Sequence, residues 1–330
     1  MNNSKVSQFT NPKSLLKMNR AKKTRSVLYS VFRLLILLAI GYIVIYPVFY
    51  MLVTSIRTDR SILDPTRIWI PTEVTLDRYQ YVFEAIDYPK SLMATLYLEV
   101  ASALLEVVSC AVIGYGFARF NFRGKKLFTA ILFLTIIIPA PMIIMPMVTN
   151  FVHLDVFGIL GLIGKLIGHD IRPNIIGTVF CFYLPSILGV GLRAGILIYI
   201  YIQFFKGLPR ELEEAAWIDG ATPLRTFISI ALPSSGVVIV TVTLFSIIWH
   251  WNDYVLSVMY TTGYTQPLAV MLKRLPEILT TDGIYVGVYT PQAMAYFMAA
   301  CVMFIAPILI LYLILQRWFI ESIDRVGITG

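Results

Sequence analysis

Two glutamates inside a long apolar run are the residues whose types and spacing stand out first. Glu99 and Glu106 are seven positions apart, which is nearly two turns of an α-helix, so their carboxyl groups share one helix face. An ionisable group in hydrocarbon costs at least about 2.5 kcal/mol, so such groups face a bundle interior or a water-filled path. Arg193 and Asp253 lie in two further apolar runs. These charges either line a polar pathway or form a Glu–Arg pair that orders the helices.

A dense patch of aromatic and polar side chains occupies residues 249–254. Its rings, together with the amide of Asn252 and the carboxylate of Asp253, suit a solute that has apolar faces flanked by hydroxyl groups. Aromatic belts at a membrane interface are also common and need no ligand. Trp251, Asn252 and Asp253 are therefore candidates for a pathway lining, and a simple belt is the alternative.

Neither catalysis nor metal binding is indicated. Cys110, Cys181 and Cys301 lie in apolar runs, as buried small hydrophobic residues often do. The three histidines are too scattered for a metal cluster or a catalytic arrangement. No P-loop is present. We therefore expect no catalytic residue, no metal, no cofactor and no ATP hydrolysis by this chain.

The elements that must position these residues are membrane-spanning helices. Of 330 residues, 58% are hydrophobic and only 14% are charged, whereas soluble domains carry about 25% charged residues. Apolar runs of about 20 residues can cross roughly 30 Å of hydrocarbon as helices. We predict an all-α polytopic membrane protein with kinks at prolines of the third and fourth spans. The six predicted spans are residues 27–54, 92–118, 127–149, 174–204, 235–260 and 291–316.

Basic residues predict the orientation. Residues 1–26 form a basic tail, and the apolar run that follows is too long for the h-region of a signal peptide, about 7–15 residues. With this tail inside, the inner segments hold sixteen Lys and Arg and the outer loops nine. Positive charge accumulates on the cytoplasmic side, so both termini, including a C-terminal tail at 317–330, are expected there. The net charge of +8 thus reflects topology rather than nucleic-acid binding.

The inner loop at 206–233 contains the signals of two short helices. A proline opens the first helix, and the glutamates of residues 211–214 complement its dipole. Gly220 suits the position just after the helix end. Thr222–Pro223 predicts an N-cap and first residue of a second helix, which is expected to stop before Pro233. Taken alone, the loop could be a pair of interfacial amphipathic helices.

This loop resembles the EAA loop of permease subunits in bacterial ABC importers, and its full string, ELEEAAWIDGATPLRTFISIALP, resembles the carbohydrate-uptake branch. Four further strings in the expected order strengthen the resemblance, which covers most of residues 90–330 and is similar to the shorter permease of the maltose type. They are RFNFRGKK at 119–126, IIIPAPMIIMP at 136–146, WNDYVL at 251–256 and QRWFIESIDRVGITG at 316–330.

The resemblance implies a type I ABC importer permease fold over residues 27–316, with the loop as a coupling helix seated on an ATPase subunit. It assigns that contact to Glu214, Ala215, Ala216, Asp219 and Gly220. Closure of two ATPases would then push the loop and switch the spans between inward-open and outward-open states.

The C-terminal tail is a second place where the resemblance implies contact with the ATPases. It assigns that contact to Arg317, Gly327 and Gly330, and a solvated terminus is the alternative.

The resemblance also implies partners and a location. The expected partners are a second permease subunit, two ATPase subunits, an extracytoplasmic sugar-binding protein and membrane lipid, in the bacterial cytoplasmic membrane. Two alternatives stay open. One is an ABC permease for a non-sugar solute, and the other is an ion-coupled secondary transporter that uses Glu99 and Glu106 as a relay.

Overall fold

The regular structure of this chain is helical. The computed structural model describes residues 12–64, 66–155, 158–261, 266–284 and 290–327. Within these ranges every regular element is a helix, apart from one isolated bridge between Arg57 and Val74. The prediction of an all-α chain is therefore confirmed. The helices divide into two compact units, residues 1–75 and residues 76–330, and each unit is described by itself.

The N-terminal unit is built around one long helix, α1, Pro12–Ser55. Its segment Arg25–Ser55 is long and apolar enough to cross a membrane. The helix begins well before the predicted span of 27–54 because residues 13–26 contain neither proline nor glycine to stop it. Residues 1–11 of the predicted tail lie outside the described residues. A short helix, α2, Asp59–Leu63, follows.

The second unit contains the remaining described helices. These helices are α3 Asp77–Ala85, α4 Tyr88–Arg119, α5 Lys125–Ile137, α6 Ala140–Val152, α7 Ile159–Ile167, α8 Phe180–Ile187, α9 Ala194–Gly207, α10 Glu211–Ile218, α11 Pro223–Ser234, α12 Gly236–Trp251, α13 Val255–Tyr260, α14 Leu268–Thr281 and α15 Pro291–Gly327. Helix α4 includes a π-helical turn, Thr95–Val100, and α11 includes another, Phe227–Ala231.

The predicted count of six spans is not confirmed by the described residues. By length and composition, three helices can each cross a membrane: Arg25–Ser55, Tyr88–Arg119 and Pro291–Arg317. Two bent helix pairs raise the number to five if each pair is one span. The difference arises because the third, fourth and fifth predicted spans are all interrupted.

The third and fourth predicted spans are broken rather than merely kinked. The third divides into α5 and α6 around Pro139, whose ring forces Ile138 into an extended conformation. The fourth, predicted as one helix over 174–204, divides into α8 and α9. Between them, Gly189 and Arg193 both have positive φ, 69° and 59°, which no continuous right-handed helix accommodates.

The fifth predicted span is interrupted at residues 252–254, between α12 and α13. Here a side chain replaces one missing helical hydrogen bond, since the Asp253 carboxylate accepts the Leu256 N–H at 3.4 Å. The Asn252 amide donates at 2.7 Å to the Ile248 carbonyl, which also accepts the Asn252 backbone N–H at the end of α12. Asn and Asp compete in this way with the backbone of a helix and favour its ends. Apolar composition alone did not predict this break.

Helix α4 packs closely against α9 because Gly114 has no side chain. A Cβ added at Gly114 would lie 2.5 Å from the Cβ of Tyr201 and 3.3 Å from the carbonyl oxygen of Ile198. Small residues allow membrane helices to approach in this way. The contact holds the buried rings of Tyr115, Tyr201 and Phe205 in one cluster. Helix α4 is thus fixed against α9, the helix that leads into the loop at 206–233.

Candidate functional site

The predicted inner loop contains both expected helices. Helix α10 carries glutamates in its first turn and is followed by Gly220 at φ 81°, a conformation that favours glycine. Thr222 caps α11 by accepting the Arg225 N–H, and Pro223 occupies the first turn. The prediction that the second helix stops before Pro233 is wrong, since it continues to Ser234. A π-helical turn precedes this proline, and such turns accommodate residues that disrupt regular α-helical bonding.

Most of the residues expected to contact an ATPase are exposed on this loop. Glu214, Ala215, Asp219 and Gly220 are exposed, and Ala216 is half-buried. Large apolar side chains share the surface: Leu212, Trp217 and Ile218 are 47%, 44% and 87% exposed. An exposed surface with apolar anchors and acidic groups is suited to a protein partner.

Glu213, next to the exposed Glu214, is buried. Glu213 forms a buried ion pair with Arg119, with 2.8 Å between Nε and Oε1 and side chains only 2% and 4% exposed. Arg119 also donates to the Leu208 carbonyl at 2.8 Å. The last residue of α4 is therefore tied to the first turn of α10. This pair was not predicted, because 94 positions separate its two members in the sequence.

Glu99 and Glu106 are both buried, and both carboxyl groups contact a histidine. His250 of α12 lies between them, with Nδ1 3.4 Å from Glu99 Oε2 and Nε2 3.1 Å from Glu106 Oε2. The Ser257 hydroxyl donates to Glu99, and the Ser246 hydroxyl lies 3.0 Å from Glu106 Oε2. We call Glu99, His250 and Glu106 the triad. The polar residues at positions 246, 250 and 257 were the sequence signal from which the partners of the two glutamates could have been predicted.

The structure does not support a Glu–Arg pair for Arg193. This residue is exposed at the break before α9, and its guanidinium lies 4.9 Å from the ring centroid of Trp249. Its positive φ places it outside any helix, so it cannot project from a helical face as assumed. The cation–π contact replaces the expected ion pair.

The other pathway candidates are dispersed. Trp251 is 3% exposed and donates its indole N–H to the Phe304 carbonyl at 3.2 Å. Asn252 is exposed, and Asp253 is half-buried at the break between α12 and α13. The structure therefore does not gather the predicted aromatic patch into one surface.

A cavity of about 250 Å³ lies elsewhere, next to the π-helical turn of α4. It is bordered by rings and hydroxyl groups rather than by the predicted patch. Its lining includes Tyr97, Thr178, Phe182, Tyr260 and Thr261.

Two of the three C-terminal candidates, Arg317 and Gly327, lie in the last helix. Arg317 is exposed and lies in α15, which continues to Gly327. Gly330 lies outside the described residues. The predicted tail at 317–330 thus begins as helix rather than as irregular chain.

Comparison with known proteins places these features in a family. Among curated relatives, the arabinooligosaccharides transport system permease protein AraQ of Halalkalibacterium halodurans is 25% identical over 88% of this chain and 93% of that protein. Protein LplC of Bacillus subtilis is 27% identical over 92% and 95%. The maltodextrin transport system permease protein MdxG of Bacillus subtilis is 26% identical over 93% and 99%.

The fold also has a solved counterpart. One chain of a bacterial ABC transporter involved in the import of the acidic polysaccharide alginate superposes with a TM-score of 0.68, at 20% identity over 88% of this chain and 96% of that one. The sequence pattern of the family described as "Binding-protein-dependent transport system inner membrane component" matches residues 111–325. The resemblance found in the sequence is thereby confirmed, and the chain belongs to the family of binding-protein-dependent transport system inner membrane components.

Proposed function

We propose that this chain is a permease subunit of an ATP-binding-cassette importer that carries a sugar or oligosaccharide across the cytoplasmic membrane. Three relatives that align over most of this chain are named for the transport of arabinooligosaccharides, maltodextrin and trehalose. All three of these solutes are carbohydrates, which supports a carbohydrate as the cargo of this chain. The family description names a binding protein, which favours this proposal over an ion-coupled secondary transporter.

The observation that carries the coupling role is the construction of the inner loop. Helix α10 presents Glu214 and Ala215 to solvent while Glu213, on its other side, is buried against Arg119. Because one side of α10 is exposed and the other is tied to α4, a partner protein that binds the exposed side can transmit its own movement to α4. Docking of an ATPase on the exposed side would therefore move α4 together with α10.

The same contacts outline how that displacement would reach the membrane helices. Helix α4 carries Arg119 at its end and Glu99 and Glu106 in its middle. Through the triad it contacts α12, and through Ser257 it contacts α13. A shift of α4 would thus act on both sides of the break at 252–254. We propose that this movement underlies alternating access.

The proposal includes partners and an orientation. A second permease subunit, two ATPase subunits and an extracytoplasmic sugar-binding protein complete the transporter, and ATP is hydrolysed in the ATPases. Both termini of this chain face the cytoplasm, with the loop on the same side. Contact of the C-terminal segment with the ATPases is part of the same proposal.

The cargo is tested with the purified transporter in lipid, together with its binding protein. ATPase activity is measured across a panel of mono- and oligosaccharides, with amino acids and short peptides as non-sugar controls. We expect stimulation by one sugar class and none by the controls. Stimulation by a non-sugar solute alone would contradict the carbohydrate assignment.

Coupling is tested at Glu214 and Gly220. We expect Glu214→Lys to lower uptake about tenfold or more, since an exposed interface charge is reversed, while the protein stays in the membrane. Glu211→Lys makes the same charge change on the same exposed helix and is the matched control. Normal uptake by Glu214→Lys, or equal losses in both variants, would refute the assignment.

Gly220 provides an independent test through the backbone. Proline cannot adopt the φ of 81° found here, so Gly220→Pro should abolish uptake by redirecting α10. Gly220→Asn is the control, because asparagine tolerates left-handed backbone, and it should retain more uptake than Gly220→Pro. Transport assays in membrane vesicles, corrected for protein amount, measure both.

A further inference from the structure

The triad contains two buried carboxyl groups and only one basic side chain, His250. Glu99 and Glu106 are 1% and 0% exposed, and His250 is 5% exposed. The basic side chains of the neighbouring segments are engaged or exposed elsewhere: the Arg193 guanidinium lies over the Trp249 ring, and Lys273 and Arg274 of α14 are exposed. Among the described residues, His250 is the basic side chain in ion-pair contact with the two carboxyl groups. One imidazolium cannot balance two carboxylates in a medium of low dielectric constant.

Hydrogen bonding distinguishes the two glutamates. Both oxygens of Glu99 have a partner, the Ser257 hydroxyl at Oε1 and His250 Nδ1 at Oε2. In Glu106 only Oε2 is partnered, whereas Oε1 is buried without a hydrogen bond among the described residues. A Cβ added at Gly191 would lie 2.5 Å from this oxygen, so the backbone closes over it. A buried unpartnered oxygen is far more costly when it carries charge than when it is neutral.

We propose that the triad is a proton-binding site in the protein interior, in which Glu106 is a neutral carboxylic acid and His250 forms an ion pair with ionised Glu99. Both ring N–H groups of the imidazolium then donate, one to Glu99 Oε2 and one to Glu106 Oε2, and the acid proton of Glu106 lies on Oε1. The three groups together carry no net charge. The nearby titratable groups are the Asp253 carboxyl beside Glu99 and the Cys110 thiol beside Glu106, and neither supplies a compensating positive charge.

The proton site has a structural consequence for the interrupted helix. Glu106 contacts Ser246 of α12, and Glu99 contacts Ser257 of α13. His250 lies just before the break that separates these helices. A triad without net charge therefore holds both α12 and α13 against α4 and leaves no uncompensated charge in the protein interior. The assignment adds to the proposed function and does not depend on the identity of the cargo.

Infrared spectroscopy of the purified transporter in lipid tests the protonation directly. A buried carboxylic acid gives a C=O stretching band that is separate from carboxylate bands and shifts in D₂O. In an Asp253→Asn background, which removes the neighbouring half-buried carboxyl group, we expect this band, its loss on Glu106→Gln, and its retention on the matched change Glu99→Gln. Glu106→Asp keeps the acid and should shift the band, which maintains the test if the glutamine variant accumulates poorly.

Thermal unfolding of the same samples provides the second measurement. Glu99→Gln removes the counter-ion of His250 and should lower the Tm by more than Glu106→Gln, which replaces one neutral group with another of similar shape. An Asp253→Asn protein without the band, a band that survives Glu106→Gln, or a band lost only in Glu99→Gln would overturn the assignment. Any of these results would leave the proposed import function untouched, because neither measurement involves transport.

Discussion

At the scale of single residues, the inner loop separates two adjacent glutamates that look equivalent in sequence. Glu213 is buried against Arg119, and Glu214 is exposed beside it. The difference follows from helix geometry, since neighbouring residues point about 100° apart around the axis. We infer that Glu213 anchors α10 to α4, and that Glu214 is free to meet a partner.

This distinction predicts different effects on stability. Either Glu213→Gln or Arg119→Gln leaves one buried charge unpaired, which should cost about 3–5 kcal/mol. Glu214→Gln alters an exposed position and should stay within about 0.5 kcal/mol. The Tm of the detergent-purified transporter measures both. The double variant Arg119→Glu with Glu213→Arg should recover part of the loss. Equal Tm values for Glu213→Gln and Glu214→Gln would contradict the anchor.

The residues that sequence analysis recovered are those whose signal is local. Gly220, Thr222 and Pro223 act within one turn, so their types alone indicate a helix end and a helix start. His250 was missed as the partner of the glutamates because 144 and 151 positions separate it from them. Contacts over such distances depend on how the helices pack, which local patterns do not specify.

At the scale of elements, apolar runs predicted where helices lie but not where they stop. The breaks near Pro139, Arg193 and Asp253 each fall within a run that is apolar enough to be read as one span. A break is tolerated when side chains or neighbouring helices satisfy the released backbone groups. In the fifth span the Asp253 carboxylate does this for the Leu256 N–H. The apolar composition of a run does not show whether a side chain will satisfy the backbone groups that a break leaves without helical hydrogen bonds.

Packing between α4 and α9 supplies a prediction at this scale. Gly114→Ala would place a Cβ 2.5 Å from that of Tyr201, so the helices must separate, and overpacking of this kind costs about 1–3 kcal/mol. Gly116→Ala, on the same helix, meets nothing within 4 Å and should be neutral or slightly stabilising. The two Tm values measure the difference. A Tm for Gly114→Ala at or above that of Gly116→Ala would contradict close packing.

At the scale of the whole molecule, the second unit is organised around α4. This helix contacts α9 at Gly114, α10 at Arg119, and α12 and α13 through the triad. It also receives the N-terminus of α14, where the Leu268 N–H donates to Thr95 at 2.9 Å. A movement applied to α4 is therefore communicated to several described helices of this unit.

The proposed orientation of the chain is tested by cysteine labelling. In a background with Cys301→Ala, Asp219→Cys on the inner loop should react with an impermeant thiol reagent only after the membrane is opened. Lys273→Cys, on the exposed side of α14, should react in intact cells. The remaining cysteines, Cys110 and Cys181, are buried and should not contribute. Labelling of Asp219→Cys in intact cells would overturn the orientation and, with it, the coupling role.

The length of α15 has a mechanical consequence. Its 37 residues correspond to about 55 Å at 1.5 Å per residue, whereas the hydrocarbon layer is only about 30 Å thick. Pro307 lies inside the helix, where it removes one backbone hydrogen bond and favours a bend. The residues after it, 308–327, extend over about 30 Å, so a small change of bend at Pro307 becomes a larger sideways movement at the far end.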